Sequence, residues 1–182
     1  MRIDRSLNLV LPLDGENGRF FVHSTPISRD VFELYYFSLA KAQAKIFTEG
    51  LGPLAGPRVA YLVLRDCAQE SDKWDGPNGV QNGLINELVR LSNVMVPSPE
   101  GWKTISLYEA AKSKAVSDDD YGEILNILVF FTLVSWMFRS GMIPALISTM
   151  AVMWDTQTTS LSCTDFAASL PTSTKDGATT SP

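Results

Sequence analysis

The sequence is poor in the residues that carry most enzyme and metal chemistry. It has one histidine, His23, and two cysteines, Cys67 and Cys163, among 182 residues. A Ser–His–Asp or Cys–His site would have to use His23, and no nucleophile-elbow sequence accompanies it. Two cysteines are too few for a disulfide scaffold, and they lack the spacing of a zinc site. We therefore predict a non-enzymatic protein with no catalytic, metal-binding or cofactor-binding residues.

Clustered positive charge is also missing. The chain has 15 Lys and Arg against 20 Asp and Glu, a formal net charge of −5, and its basic residues are scattered. Nucleic-acid binding needs clustered Lys and Arg opposite the phosphates, so this partner is not expected. The charged stretch from Met1 to Arg5 is not followed by the continuous apolar run of a signal peptide, which predicts a cytoplasmic location.

The pattern of apolar residues favours a mainly α fold: about five to six helices, an N-terminal β-hairpin and a disordered C-terminal tail. Residues 7–13 partly alternate, residues 14–18 supply a turn, and Arg19 to His23 can pair back, which predicts a hairpin within residues 1–25. Pro12 has no backbone N–H, so the first strand is expected at a sheet edge.

Helix signals follow the hairpin. Ser28 resembles an N-cap, and the helix after it is expected to run to about Thr48. Its apolar stripe is Val31, Leu34, Tyr35, Ala42 and Ile46. A second helical face is predicted from Val80, Leu84, Ile85, Leu88, Leu91 and Met95, and the segment 96–101 breaks it. Capping boxes at Ser106 and Ser117 predict two further helix starts.

The most apolar stretch runs from Tyr121 to Trp154 and has two interpretations. Its first part, residues 124–138, is fifteen residues long and includes Asn126, Thr132 and Ser135. A membrane-spanning helix needs roughly twenty apolar residues. Helices that are apolar nearly all round also occur at the centre of soluble domains. We therefore favour a buried helical hairpin that turns near Arg139, with a membrane anchor as the alternative.

The composition changes after Trp154. Hydroxyl residues dominate 156–160 and 170–174, so we predict a helical domain over 1–155 and a flexible Ser/Thr-rich tail over 156–182. Between the two polar runs, Phe166, Ala167 and Leu170 have the spacing of one helical turn that packs on a partner. A plain flexible tail remains the alternative interpretation of this segment.

Residues for partner binding are predicted on three grounds. Leu9 and Leu11 lie on the strand expected at the sheet edge, where another chain could pair. Phe37 is the one apolar residue in the polar row of the first long helix. Phe166 and Leu170 lie in the predicted tail helix. These five residues are the candidate partner-binding residues.

Several stretches resemble the tail assembly chaperones of long-tailed, siphovirus-type bacteriophages. They are residues 7–10 (LNLV), 22–29 (VHSTPISR), 56–59 (GPRV), 74–77 (WDGP), 129–132 (VFFT), 157–161 (QTTSL) and 166–174 (FAASLPTST). Together they extend over almost the whole chain, and none is a catalytic motif.

The resemblance implies a small, mainly helical protein of the host cytoplasm that is absent from the finished virion. Proteins of this family coat the tape-measure protein and recruit tail-tube subunits around it. It also implies a homo-oligomer as one possible state, because subunits would stack along an extended partner. The alternatives are a structural protein of the virion and a membrane-associated phage protein.

Overall fold

The computed structural model describes residues 7–15, 18–139 and 141–171. In this part of the chain the fold is α+β, with five strands and seven α-helices. The strands are β1 (Asn8–Gly15), β2 (Gly18–Ser24), β3 (Ser92–Ser98), β4 (Gly101–Ser106) and β5 (Gln157–Thr159). The helices are α1 (Arg29–Thr48), α2 (Gly52–Gln69), α3 (Asn86–Arg90, preceded by a π-helical segment, Gln81–Ile85), α4 (Leu107–Lys112), α5 (Asp118–Met137), α6 (Ile143–Trp154) and α7 (Cys163–Ser169).

The prediction of a mainly α fold is wrong, because the hairpin at the start of the chain is the centre of a larger sheet. The five strands are antiparallel in the order β4-β3-β2-β1-β5. The predicted hairpin corresponds to β1 and β2, in register with Leu9 opposite Ser24 and Leu13 opposite Phe20. An isolated hairpin is marginal in water, and the added strands supply the pairing that stabilises it.

The sequence pattern does not predict strands β3 and β4. The helical pattern that begins at Val80 ends at Arg90, and Met95 belongs to β3, where it lies opposite Phe21. Residues 96–101, interpreted as a break, contain the end of β3 and the turn into β4. Gly101 makes this turn with φ +116°, a conformation that glycine adopts without steric cost. The apolar residues of β3 are spaced ambiguously, and pairing with β2 decides the outcome.

The sheet has two apolar faces. One face contributes Leu9, Leu11 and Val94 to the main core, where they meet the helices. The opposite face carries Val10 and Met95, each fully buried, beneath α7. Side chains alternate along a strand, so successive residues of β1 reach different cores. The sheet therefore separates the main helical layer from the C-terminal segment.

The main helical layer is formed largely by α1, α2 and α5. The predicted caps are confirmed: the Ser28, Ser106 and Ser117 hydroxyls accept from the N–H groups three residues later. Along α1, Tyr35, Leu39, Ala42 and Ile46 are buried, whereas Leu34, predicted on the same stripe, is 67% exposed. All residues from Ile124 to Val134 on α5 are buried, as the interpretation of a central core helix requires.

The C-terminal tail is not disordered where the structure describes it. Strand β5 pairs with Asn8–Val10 of β1, and α7 follows after a short turn. The sheet therefore continues past residue 155, where the sequence predicted the end of the domain. We call residues 157–171 the C-terminal arm. The rest of the predicted tail, 172–182, lies outside the described residues.

Candidate protein-interaction surface

The described part of the chain brings together no group of three His, Cys, Asp or Glu side chains that could hold a metal ion. Two depressions of the described surface are large enough for a small molecule. One is lined by Gly15, Gly18, Phe20, Val96, Pro97 and Ala115, which have no titratable side chain. The other is lined by Gln69, Asp72, Trp74 and Asp75, without a cysteine, histidine or hydroxyl nucleophile.

Leu9 and Leu11 lie in the main core, each 1% exposed, and cannot contact a partner in this fold. The expectation of a free edge at the start of β1 is wrong, because β5 pairs with Asn8, Leu9 and Val10. Pro12 lies just beyond the residues that β5 covers, where a strand position without an N–H donor is tolerated. The sequence signal for an edge applies only to this second half of β1.

Phe37 lies on the outer face of α1 and is 66% exposed. Leu34, one turn earlier, is 67% exposed, and Lys41 Nζ lies 5.3 Å from the centroid of the Phe37 ring. Lys41 Nζ also donates to Ser71 Oγ at 2.7 Å, so its position is set partly by the end of α2. These residues form a small exposed patch with a cation beside it.

Phe166 and Leu170 pack on the chain's own sheet. Phe166 is 9% exposed, and its ring centroid lies 6.0 Å from those of Phe21 and His23. Leu170 packs against the same cluster. The prediction of a short apolar helix turn is consistent with α7, but the surface that it covers belongs to this chain.

Hydrogen bonds hold both ends of the arm. Asn8 Nδ2 donates to the Leu161 carbonyl at 2.8 Å, and Trp102 Nε1 donates to the Pro171 carbonyl at 3.0 Å. His23 Nε2 lies 3.1 Å from the same Leu161 carbonyl, which accepts. Burial raises the pKa of the Cys163 thiol, so a smaller fraction of the thiol is ionised at neutral pH. The arm is thus a structural cover of the second sheet face.

Helix α6 is apolar but mostly not buried, and its twelve residues, IPALISTMAVMW, include no charged side chain. Only Ile143 and Met150 are buried in this helix. Val152 is 81% exposed, Met153 is 51% exposed, and Met142, just before the helix, is 50% exposed. The predicted buried hairpin is therefore wrong for its second helix. Surfaces of this kind in folded proteins commonly meet other molecules.

A stripe on α2 extends this apolar area. Leu54, Arg58 and Leu62 are spaced four residues apart and are all exposed; Leu54 is 63% and Leu62 40% exposed. The guanidinium of Arg58 lies 5.2 Å from the centroid of the Trp154 ring at the end of α6, which joins the two elements. We call the exposed residues of this region the α6 surface: Leu54, Arg58, Leu62, Met142, Pro144, Ala145, Ser148, Val152 and Met153.

Helix α5 is the one described helix long and apolar enough to cross a membrane by length and composition. Of its most apolar window, 67% is buried inside the protein. Its Asn126 side chain also bridges to the backbone of α2, since Asn126 Oδ1 accepts from the Tyr61 N–H at 2.9 Å. These contacts are those of a central helix in a packed core.

No family model, curated protein or solved structure matches this chain. The class of the molecule therefore rests on its own fold and surface: an α+β protein with a covered antiparallel sheet and an exposed, charge-free helix.

Sequence reasoning missed the α6 surface although its signal was present. The segment 143–154 has no polar stripe, so a buried helix and an interface helix have the same pattern. What distinguishes them is the number of neighbouring elements, and α6 has few neighbours besides α2 and α5.

Proposed function

We propose that this protein is a tail assembly chaperone of a long-tailed phage. In this proposal it binds the tape-measure protein in the host cytoplasm, helps to recruit tail-tube subunits and performs no chemistry. The resemblance of stretches along almost the whole chain supports the family. The observation that carries the binding role is the α6 surface.

The α6 surface has the properties that a chaperone for long apolar helices requires. Most of its exposed side chains are apolar, and α6 itself has no charge that would have to be desolvated on binding. The charged residue of the surface is Arg58, whose guanidinium lies beside the Trp154 ring. Met142 and Met153, both about half exposed, have flexible and polarisable side chains that adapt to different partner surfaces. An apolar helix laid against α6 and the α2 stripe would follow the helix-in-groove mode of recognition.

Co-expression with the tape-measure protein from the same phage tests the proposal. We expect the tape-measure protein to be soluble and to co-purify with the native chain. A Val152→Asp variant places a charge at the most exposed apolar position of α6, and we expect it to lose most of the co-purified partner. Tyr108→Asp is the matched control, because Tyr108 is 65% exposed on α4, outside the α6 surface.

The outcomes separate the alternatives. A native chain that does not bind the tape-measure protein contradicts the proposal, and equal binding by Val152→Asp contradicts the assignment to α6. Abundant copies in purified virions, measured by mass spectrometry, would instead support a structural virion protein. A pellet that resists carbonate extraction would support membrane association through the exposed apolar helix.

A further inference from the structure

We propose that the α6 surface is the meeting point of two copies of this chain, with the two α6 helices packed antiparallel across a two-fold axis. The dimer would form in the absence of the tape-measure protein. It rests on the proposed function in one respect: the tape-measure protein would compete with the second copy for the α6 surface.

The segments of this sequence that lie outside the described residues contain few apolar side chains. Outside the described residues lie 1–6 (MRIDRS), 16–17 (EN), 140 (S) and 172–182 (TSTKDGATTSP). Their apolar side chains are Met1, Ile3 and Ala178. These few side chains offer little apolar area to set against a twelve-residue helix with exposed Val152, Met153 and Met142. A second copy of the chain brings an α6 helix with the same apolar side chains.

The residues that flank α6 have charges of opposite sign. Arg139 precedes the helix and is exposed, and Asp155 directly follows it, with an exposed side chain. Antiparallel pairing brings Arg139 of one copy to Asp155 of the other at both ends of the contact. Parallel pairing would put like charges together. The arrangement is self-complementary, as a two-fold interface requires.

Asp155 already has a partner in its own chain, since Arg19 Nη2 pairs with Asp155 Oδ2. The Asp155 side chain is 69% exposed, and the arginine of the second copy would add to this pair. Asp155 itself has φ +52°, a left-handed conformation that aspartate tolerates. For this reason the tests below change Arg139 and leave Asp155 in place.

The centre of α6 has a small exposed side chain, Ser148. If Arg139 lies opposite Asp155, the two-fold axis passes near the middle of α6, where the exposed residue is Ser148. Ser148 is exposed, and its small side chain permits close approach of the two backbones. The neighbouring Thr149 hydroxyl donates to the Ala145 carbonyl at 3.0 Å, so it brings no unpaired donor to the interface. Leu54 and Leu62 of α2 would widen the contact on either side.

Sedimentation equilibrium of the full chain alone, over a range of concentrations, tests self-association. We expect a species of twice the 20.0 kDa chain mass. Val152→Asp and Arg139→Glu should each raise the dissociation constant, the first by about a hundredfold and the second by about tenfold. Tyr108→Asp should leave it unchanged. A monomer at all concentrations, or an oligomer that is insensitive to Val152→Asp, overturns the inference.

Cross-linking tests the antiparallel geometry. In a Cys163→Ser background, Ser148→Cys should be joined between copies by a bismaleimide that spans about 10 Å, the separation of packed helices. Met142→Cys should not be joined, because antiparallel pairing separates its two copies by about 15 Å along the axis. Cross-linking of both variants, or of neither, contradicts this arrangement.

These failures are distinguishable from failure of the proposed function. Self-association is measured without the tape-measure protein, and partner binding is measured by co-purification. A monomeric chain that still binds the tape-measure protein overturns only the dimer. If the inference holds, adding the tape-measure protein should reduce the cross-linking of Ser148→Cys.

Discussion

Asn126 shows how a buried polar residue is accommodated within the long apolar helix α5. Its side chain is 8% exposed; Oδ1 accepts from the Tyr61 N–H, and Nδ2 donates to the Gly122 carbonyl at 3.0 Å. A buried amide is tolerated when both its donor and its acceptor are paired. Asn126 therefore ties α5 to the backbone of α2 by a directional contact within an otherwise apolar interface.

We expect Asn126→Leu to lower the free energy of unfolding by about 1–2 kcal/mol, because the hydrogen bond between α2 and α5 is lost in a buried place. Urea denaturation followed by circular dichroism measures the change. Thr132→Val is the matched control: the Thr132 hydroxyl is also buried but donates to the Leu128 carbonyl of its own helix. A loss no larger than that of the control would show that the contact with Tyr61 contributes little.

Two helices approach each other closely where α2 meets α5. A Cβ atom added at Gly56 would lie 2.3 Å from Cε2 of Phe130, which is fully buried. The ring cannot move away without disturbing the core around it, because protein interiors are closely packed. Gly56 is therefore required by the distance between the elements. Pro57, which follows it inside α2, is buried at the same contact.

Gly56→Ala should destabilise the protein by about 1–3 kcal/mol through overpacking against Phe130. Thermal unfolding monitored by circular dichroism is the measurement. Gly122→Ala provides the opposite expectation, since nothing lies within 4 Å of a Cβ there and alanine favours a helix by about 1 kcal/mol. If both variants changed the melting temperature in the same direction, the close contact at Gly56 would not be limiting.

At the scale of the whole molecule, both faces of the sheet are covered, and this determines which apolar surface stays exposed. The main helical layer covers one sheet face, and the C-terminal arm covers the other with Phe166 and Leu170. No element of comparable size covers α6 among the described residues. The arm and α6 are adjacent in the chain and are joined through Asp155 and Thr156. The arm packs on the sheet, whereas one side of α6 stays exposed.

We expect Phe166→Ala to release the arm while the rest of the fold persists, because Phe166 is the main buried side chain of α7. Hydrogen exchange should become faster in residues 157–171, and in β1 where β5 pairs with it, but not in α5. Thr164→Ala, at an exposed position of the same helix, should leave exchange unchanged. Uniformly faster exchange throughout the chain would instead indicate global destabilisation, and the arm would not be a separable element.

The sequence by itself determined the features that depend on neighbours in the chain. The caps at Ser28, Ser106 and Ser117 join residues three apart, so their chemistry is complete within one helical turn. The first hairpin has its turn residues between two apolar segments for the same reason. The length and composition of α5 were also sufficient to predict a core helix.

Only the tertiary structure decided which apolar residues are covered. Met95 follows the helical pattern of the preceding segment, but pairing with Phe21, which lies 74 positions earlier in the chain, places it in a strand. Phe166 lies in a polar segment and is buried, whereas Val152 lies in an apolar helix and is 81% exposed. Burial depends on which distant elements reach a side chain, and local composition does not contain that information.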